Sequence, residues 1–104
     1  MRIEFHPEAT AELAAQLDWY DTRRAGLRGD LLDELDAALQ TVAEHPTIAP
    51  PWPSPLAAGA GVRAYRLGRF PFLLAYLVEG DVMYVVAIAH TRRRPGYWME
   101  RLPR

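Results

Sequence analysis

The stretch VMYVVAIAHTRRRPGYW, residues 82–98, constrains this chain more than any other. Eight apolar residues, rich in valine, run from Val82 to Ala89 between Gly80-Asp81 and Pro95-Gly96. That length, with β-branched content and turn residues on both sides, predicts a buried strand rather than a helix. The strand runs directly into Arg92-Arg93-Arg94 and then Tyr97-Trp98, so core and candidate working surface share one segment.

The elements upstream must cover that strand. Arg2 to His6 alternates polar and apolar residues and predicts a short opening strand. Pro7 suits a first helical turn, with Glu8 near the positive end of the helix and His6 as a weak cap. Ala9, Leu13, Leu17 and Tyr20 then recur at helical spacing as one narrow stripe. Trp19 points off that stripe, either covering a neighbouring element or anchoring a partner. Arg23-Arg24-Ala25-Gly26 reads as the close of this helix. A second helix, Leu27 to His45, carries the broad stripe Leu27, Leu31, Leu32, Leu35, Ala38, Leu39, Val42 and Ala43. The short connection folds the two into an antiparallel hairpin. Asp33, Asp36, Gln40 and Glu44 lie opposite that stripe and are expected to face solvent.

Residues 45–61 hold five prolines and two glycines, which excludes a regular helix or an interior strand. Trp52, between Pro51 and Pro53, is expected either to pack back on the hairpin or to contact a partner. Three strand candidates follow at 62–67, 71–78 and 82–90, joined tightly enough to pair as an antiparallel meander. The opening strand joins at an edge or beside the last strand. The expected fold class is therefore α+β, a helical hairpin packed on a small antiparallel sheet in the order β-α-α-β-β-β, as one domain over 1–104.

Charge is distributed unevenly along this plan. Residues 1–50 carry ten acids and four arginines, summing to −6, whereas residues 51–104 carry three acids and eight arginines, summing to +5. A basic side suited to an anionic partner follows. All twelve cationic side chains are arginine, which stays protonated and cannot serve as a general base at neutral pH. Cysteine is absent, so thiolate and disulfide chemistry are excluded. No 18-residue apolar stretch and no basic-then-apolar leader pattern are found, so no membrane partner is expected and the cytoplasm is the expected location.

Familiar catalytic patterns are missing. His6, His45 and His90 lack ligand spacing, so neither a metal nor a cofactor is expected. Ser54, the only serine, lies among prolines. What remains is arginine with aromatic residues. Arg63, Arg66 and Arg69 accompany the first meander strand, and Arg92, Arg93 and Arg94 follow the last, with Tyr97 and Trp98 behind them. If the strands bring these together, the surface suits phosphate contact and base stacking, or an acidic protein segment. His90 is the one candidate acid or base at a strand end.

Four stretches carry a family resemblance: FHPEATAELAAQLDWYDTRRAGL at 5–27, DLLDELDAALQTVAEHP at 30–46, VRAYRLGRFPFLLAYLVEGD at 62–81 and VVAIAHTRRRPGYW at 85–98. Together they resemble the RelE/ParE superfamily of toxins from type II toxin–antitoxin pairs, in its ParE-like, plasmid-stabilisation branch. The resemblance implies a growth-arresting toxin neutralised by a cognate antitoxin that wraps it, in an oligomeric complex. ParE-like members inhibit DNA gyrase and need no catalytic residues. RelE-like members instead cut messenger RNA on the ribosome without a metal; the matching positions here are Arg63, Arg66, His90, Arg92 or Arg93, and Tyr97. A third outcome is a non-toxic member kept only to bind its antitoxin as co-repressor. For target or partner contact the candidates are Arg66, Arg69, Arg92, Arg93, Arg94, Tyr97, Trp98, Trp19 and Trp52.

Overall fold

A computed structural model describes residues 1–102. Strand β1 (Arg2–Phe5) leads into α1 (Pro7–Asp21), α2 (Leu27–Glu44), a five-residue α3 (Pro55–Gly59), then β2 (Arg63–Arg66), β3 (Phe72–Glu79) and β4 (Val82–His90), with a final 3-10 turn over Met99–Arg101. The hairpin-on-sheet arrangement expected for an α+β fold is present, with strand order β1-β4-β3-β2. β2, β3 and β4 form the antiparallel meander. β1 joins beside β4 in parallel, so the sheet is mixed rather than wholly antiparallel. The α1–α2 hairpin between β1 and the meander supplies a crossover long enough for a parallel partner.

Local chemistry sets the boundaries. His6 caps α1 by accepting the Glu8 N–H on Nδ1 at 3.1 Å, and Pro7 occupies the first turn. α1 ends earlier than expected, at Thr22, whose hydroxyl donates to the Trp19 carbonyl at 2.7 Å. Gly26 does not close α1. It precedes α2 with φ of 90°, a left-handed turn that redirects the chain into the second helix. Between β3 and β4, Gly80 has a positive φ of 60° and Asp81 does not, the pattern of a two-residue II′ hairpin.

The sheet is buried on both faces. On one side Leu31, Leu35, Ala38 and Val42 of α2, with Ala9 and Leu17 of α1, pack on Phe72, Leu74, Tyr76, Met83, Val85 and Ile88. Each leucine so covered contributes about 2 kcal/mol. On the other side Trp52, Ala57 of α3 and Trp98 cover Ala75, Leu77, Val86, Ala87 and Ala89. Coverage of both faces explains why β4 reads as an unbroken apolar run instead of an alternating one.

That second layer corrects three expectations. The proline-rich segment 45–61 does contain helix, one turn whose Pro55 sits where no N–H is needed. Trp52 packs against the sheet face opposite the hairpin, not on the hairpin, and is 4 % exposed. Trp98, expected on the working surface, is wholly buried, its ring edge-on to Trp52 at 4.8 Å. Neither tryptophan presents a surface to a partner in this fold.

Candidate functional site

β1 pairs with β4 only as far as Phe5–Val85, and the last bond of that ladder is the His6 N–H to the Val85 carbonyl at 2.9 Å. Beyond it, the outer edge of β4 has no strand beside it. A register shift at Ala75/Tyr76 leaves Val86 as an extra residue on β4 at this point. Side chains fill the place of the missing strand. The Ile88 N–H donates to Glu12 Oε1 at 3.2 Å, and the Val86 carbonyl accepts from Arg101 at 3.2 Å. Arg101 in turn reaches Glu12 through both terminal nitrogens, at 2.9 and 3.1 Å, and Glu8 through Nε at 3.1 Å. Glu8 and Glu12 lie one helical turn apart on α1 and so clamp the same guanidinium.

Tyr97 belongs to this knot. Its hydroxyl donates to Glu12 Oε2, and the Arg93 guanidinium lies 3.8 Å over its ring while also approaching Glu12 at 3.4 Å. Burial, and then donation to Glu12, push the Tyr97 phenol well above its ordinary value, so it stays protonated at neutral pH. A phenol held in this way cannot accept a proton. Glu12 was not foreseen as a site residue. Its helix position looks solvated, and its partners lie 76 to 89 residues away along the chain.

The arginines expected to converge are divided. Arg63 faces the hairpin side and donates to the Ala49 carbonyl at 2.7 Å, tying down the loop after α2. Arg69 pairs with Asp30 at 3.4 Å, and its backbone N–H donates to Glu34 at 2.8 Å. Arg66, Arg92 and Arg94 are exposed and, among the described residues, have no carboxylate within ion-pair distance. Arg66 and the start of the arginine run do lie at one end of the sheet, because Arg66 pairs with Leu73 and Leu73 with Ala89. Two strand spacings, about 10 Å, separate those two strands.

His90 is oriented structurally. Nδ1 accepts the Arg92 N–H at 3.1 Å, and the ring meets Phe72 edge-on at 5.4 Å. It lines a groove of about 500 Å³ with Ala15, Gln16, Trp19, Tyr20 and Pro71. Trp19 is 47 % exposed there, with the Arg23 guanidinium 4.2 Å from its ring centre. The end of the sheet thus joins exposed aromatic surface to unpaired arginine. Such a surface can bind an anionic or acidic partner. Among the described residues, no three His, Asp or Glu side chains gather as a metal site.

A family model described as "ParE toxin of type II toxin-antitoxin system, parDE" matches residues 3–95. Among solved structures, a chain of the chromosomal ParDE TA system from P. aeruginosa superposes with a TM-score of 0.72 at 20 % identity, covering 88 % of this chain and 97 % of that one. The structural likeness shows the shared fold. No curated protein matches.

Proposed function

This chain belongs to the ParE toxin family of type II toxin–antitoxin systems, and on that premise we propose that it arrests growth by binding and inhibiting DNA gyrase. An antitoxin is implied as its neutralising partner by the same membership. A cytoplasmic site of action goes with that target.

The observation that carries a binding mechanism rather than a nuclease one is the state of Tyr97. Its phenol is committed to Glu12, which also holds Arg93 and Arg101. General-base catalysis needs a group able to take a proton near neutral pH; this tyrosine is held away from that range, and His90, the other candidate base, uses Nδ1 to accept the Arg92 N–H. Arg63, a second candidate for transition-state contact, is spent on the loop carbonyl of Ala49. Arg66, Arg92 and Arg94 remain as exposed cations for docking. Docking by charge and aromatic contact needs no proton transfer.

Induced expression without the antitoxin should stop growth and raise the DNA-damage response. The purified chain should block supercoiling by purified gyrase. Undiminished supercoiling at high toxin concentration would overturn the target. Codon-biased cuts in transcripts from arrested cells would replace it with messenger RNA cleavage.

A further inference from the structure

The sheet has one edge that its own chain begins to cover and then abandons. Along β2, the Ala64 N–H donates to the Pro50 carbonyl and the Trp52 N–H to the Val62 carbonyl, at 3.0 and 2.9 Å, so residues 50–52 run as a short antiparallel partner around the Pro51–Arg63 bridge. Pro50 has no N–H to return to the Ala64 carbonyl. Backbone groups of alternate residues point the same way. The Leu67 N–H is directed inward to Phe72, and the N–H and carbonyl of Arg66 point outward with those of Ala64. Among the described residues nothing pairs with the Ala64 carbonyl or with either backbone group of Arg66. Prolines 50, 51 and 53 blunt the start of this edge and stop short of its end.

Beside that open stretch runs a mainly apolar groove of about 520 Å³, bounded by Ile48, Pro51, Pro53, Ala64, Arg66 and Leu73. Ile48 is 52 % exposed, and the Arg66 side chain stands free at its rim. Backbone donors and acceptors in a row call for an extended chain, an apolar trough for an aliphatic side chain, and an unpaired guanidinium for a carboxylate.

We infer that an extended segment of the antitoxin adds to the sheet where residues 50–52 leave off, as a short fifth strand beside β2 centred on Arg66. Residues two apart on that segment share a face. The one opposite Arg66 is therefore acidic, and the one two positions on towards Pro50, which itself stands opposite Ala64, is apolar and enters the groove over Leu73. This rests on the toxin–antitoxin reading and locates the contact within it. On the other flank of the meander, β1 covers β4 as far as Val85, and Glu12 and Arg101 occupy its edge beyond that.

The test uses the whole chain and the small protein encoded beside it, purified as their complex. Arg66→Glu reverses the rim charge. Arg66→Pro deletes an N–H that points away from β3, so the meander ladder is kept. Ile48→Asp places a charge in the groove and carries the test with Arg66→Glu if the proline variant fails to fold. Each should weaken binding at least about tenfold. In the wild-type complex, exchange of the Arg66 amide should slow at least about a hundredfold. Unchanged affinity in these variants, with a freely exchanging Arg66 amide in a complex that still forms, overturns the edge assignment while the toxin–antitoxin reading stands. A stable dimer of the chain alone, dispersed by Arg66→Glu, overturns it in favour of a second copy. A wild-type chain that neither binds the neighbouring protein nor arrests growth overturns both.

Discussion

The carboxylate of Glu12 meets the guanidinium of Arg101 through two hydrogen bonds, joining the first helix to the last described turn across 89 positions of sequence. Both side chains are largely covered, at 13 % and 10 % exposure. Together they satisfy the backbone of β4 where β1 ends. The pair does for the sheet edge what another strand would do, and it draws Tyr97 and Arg93 in with it.

Removing one member of a covered pair leaves the other charge unpaired, which is costlier than the pair's net worth. Glu12→Ala also strands the Tyr97 hydroxyl and the Ile88 N–H. We expect a loss of about 3 kcal/mol, measured by urea unfolding. Arg101→Met alone should cost less, because its aliphatic stem is kept, and the double variant should lose less than the sum. A change below about 1 kcal/mol for Glu12→Ala would show that the pair is solvated in solution.

Burial raises the pKa of Tyr20, Tyr76 and Tyr97, disfavouring their ionised forms, and Tyr97 is raised furthest. A phenol whose folded value lies above its unfolded one binds its proton more tightly when folded. The resulting stabilisation is full below the unfolded value of 10.0 and is lost as pH climbs through the folded one. Stability should therefore be insensitive to these groups at neutral pH and fall on the alkaline side. Tyr97→Phe should flatten that fall. Identical alkaline slopes for the two proteins would contradict the buried Tyr97–Glu12 bond.

Three tryptophans divide into one exposed and two buried, at 47 %, 4 % and 0 % for Trp19, Trp52 and Trp98. Iodide should quench only the Trp19 component, and Trp19→Phe should abolish that component with stability nearly unchanged. Trp98→Ala, in contrast, empties a fully buried site against Trp52 and should cost about 3–5 kcal/mol. Quenching that survives Trp19→Phe would mean that the second layer opens.

Much of this arrangement was legible in periodicity and punctuation. Helical stripes marked α1 and α2, and Gly80-Asp81 marked the β3–β4 hairpin, because those signals act over a few residues. The β4 run marked a buried strand, but not that a second layer would cover its other face. Trp98 reads as a surface anchor because an arginine-rich tail ordinarily faces water, and Trp52 reads either as packing on the hairpin or as a partner contact, whereas both cover the sheet's second face. They cover the sheet only once the chain has closed on itself. Glu12 was hidden for the same reason: a carboxylate on an amphipathic helix looks solvated until a distant arginine and a strand edge meet it. Arg63 and Arg66 were indistinguishable as letters, and strand parity turns one toward the loop and the other to solvent.

The last prediction separates docking from catalysis. Arg92 and Arg94 are exposed and, among the described residues, touch no carboxylate, whereas Arg93 is held to Glu12 and Tyr97. Reversing two free surface charges should change folding stability by less than about 1 kcal/mol. The same reversal at a rim that meets an acidic partner changes association strongly and makes it less salt-sensitive. Arg92→Glu with Arg94→Glu should therefore relieve growth arrest and lower the inhibition of gyrase at least about tenfold, with the fold intact by circular dichroism. Tyr97→Phe keeps the ring under Arg93 and deletes only the hydroxyl, so it should leave both activities in place. Full activity in the double variant, or arrest abolished by Tyr97→Phe in a folded protein, would move the working surface from the arginine run to the Glu12 knot.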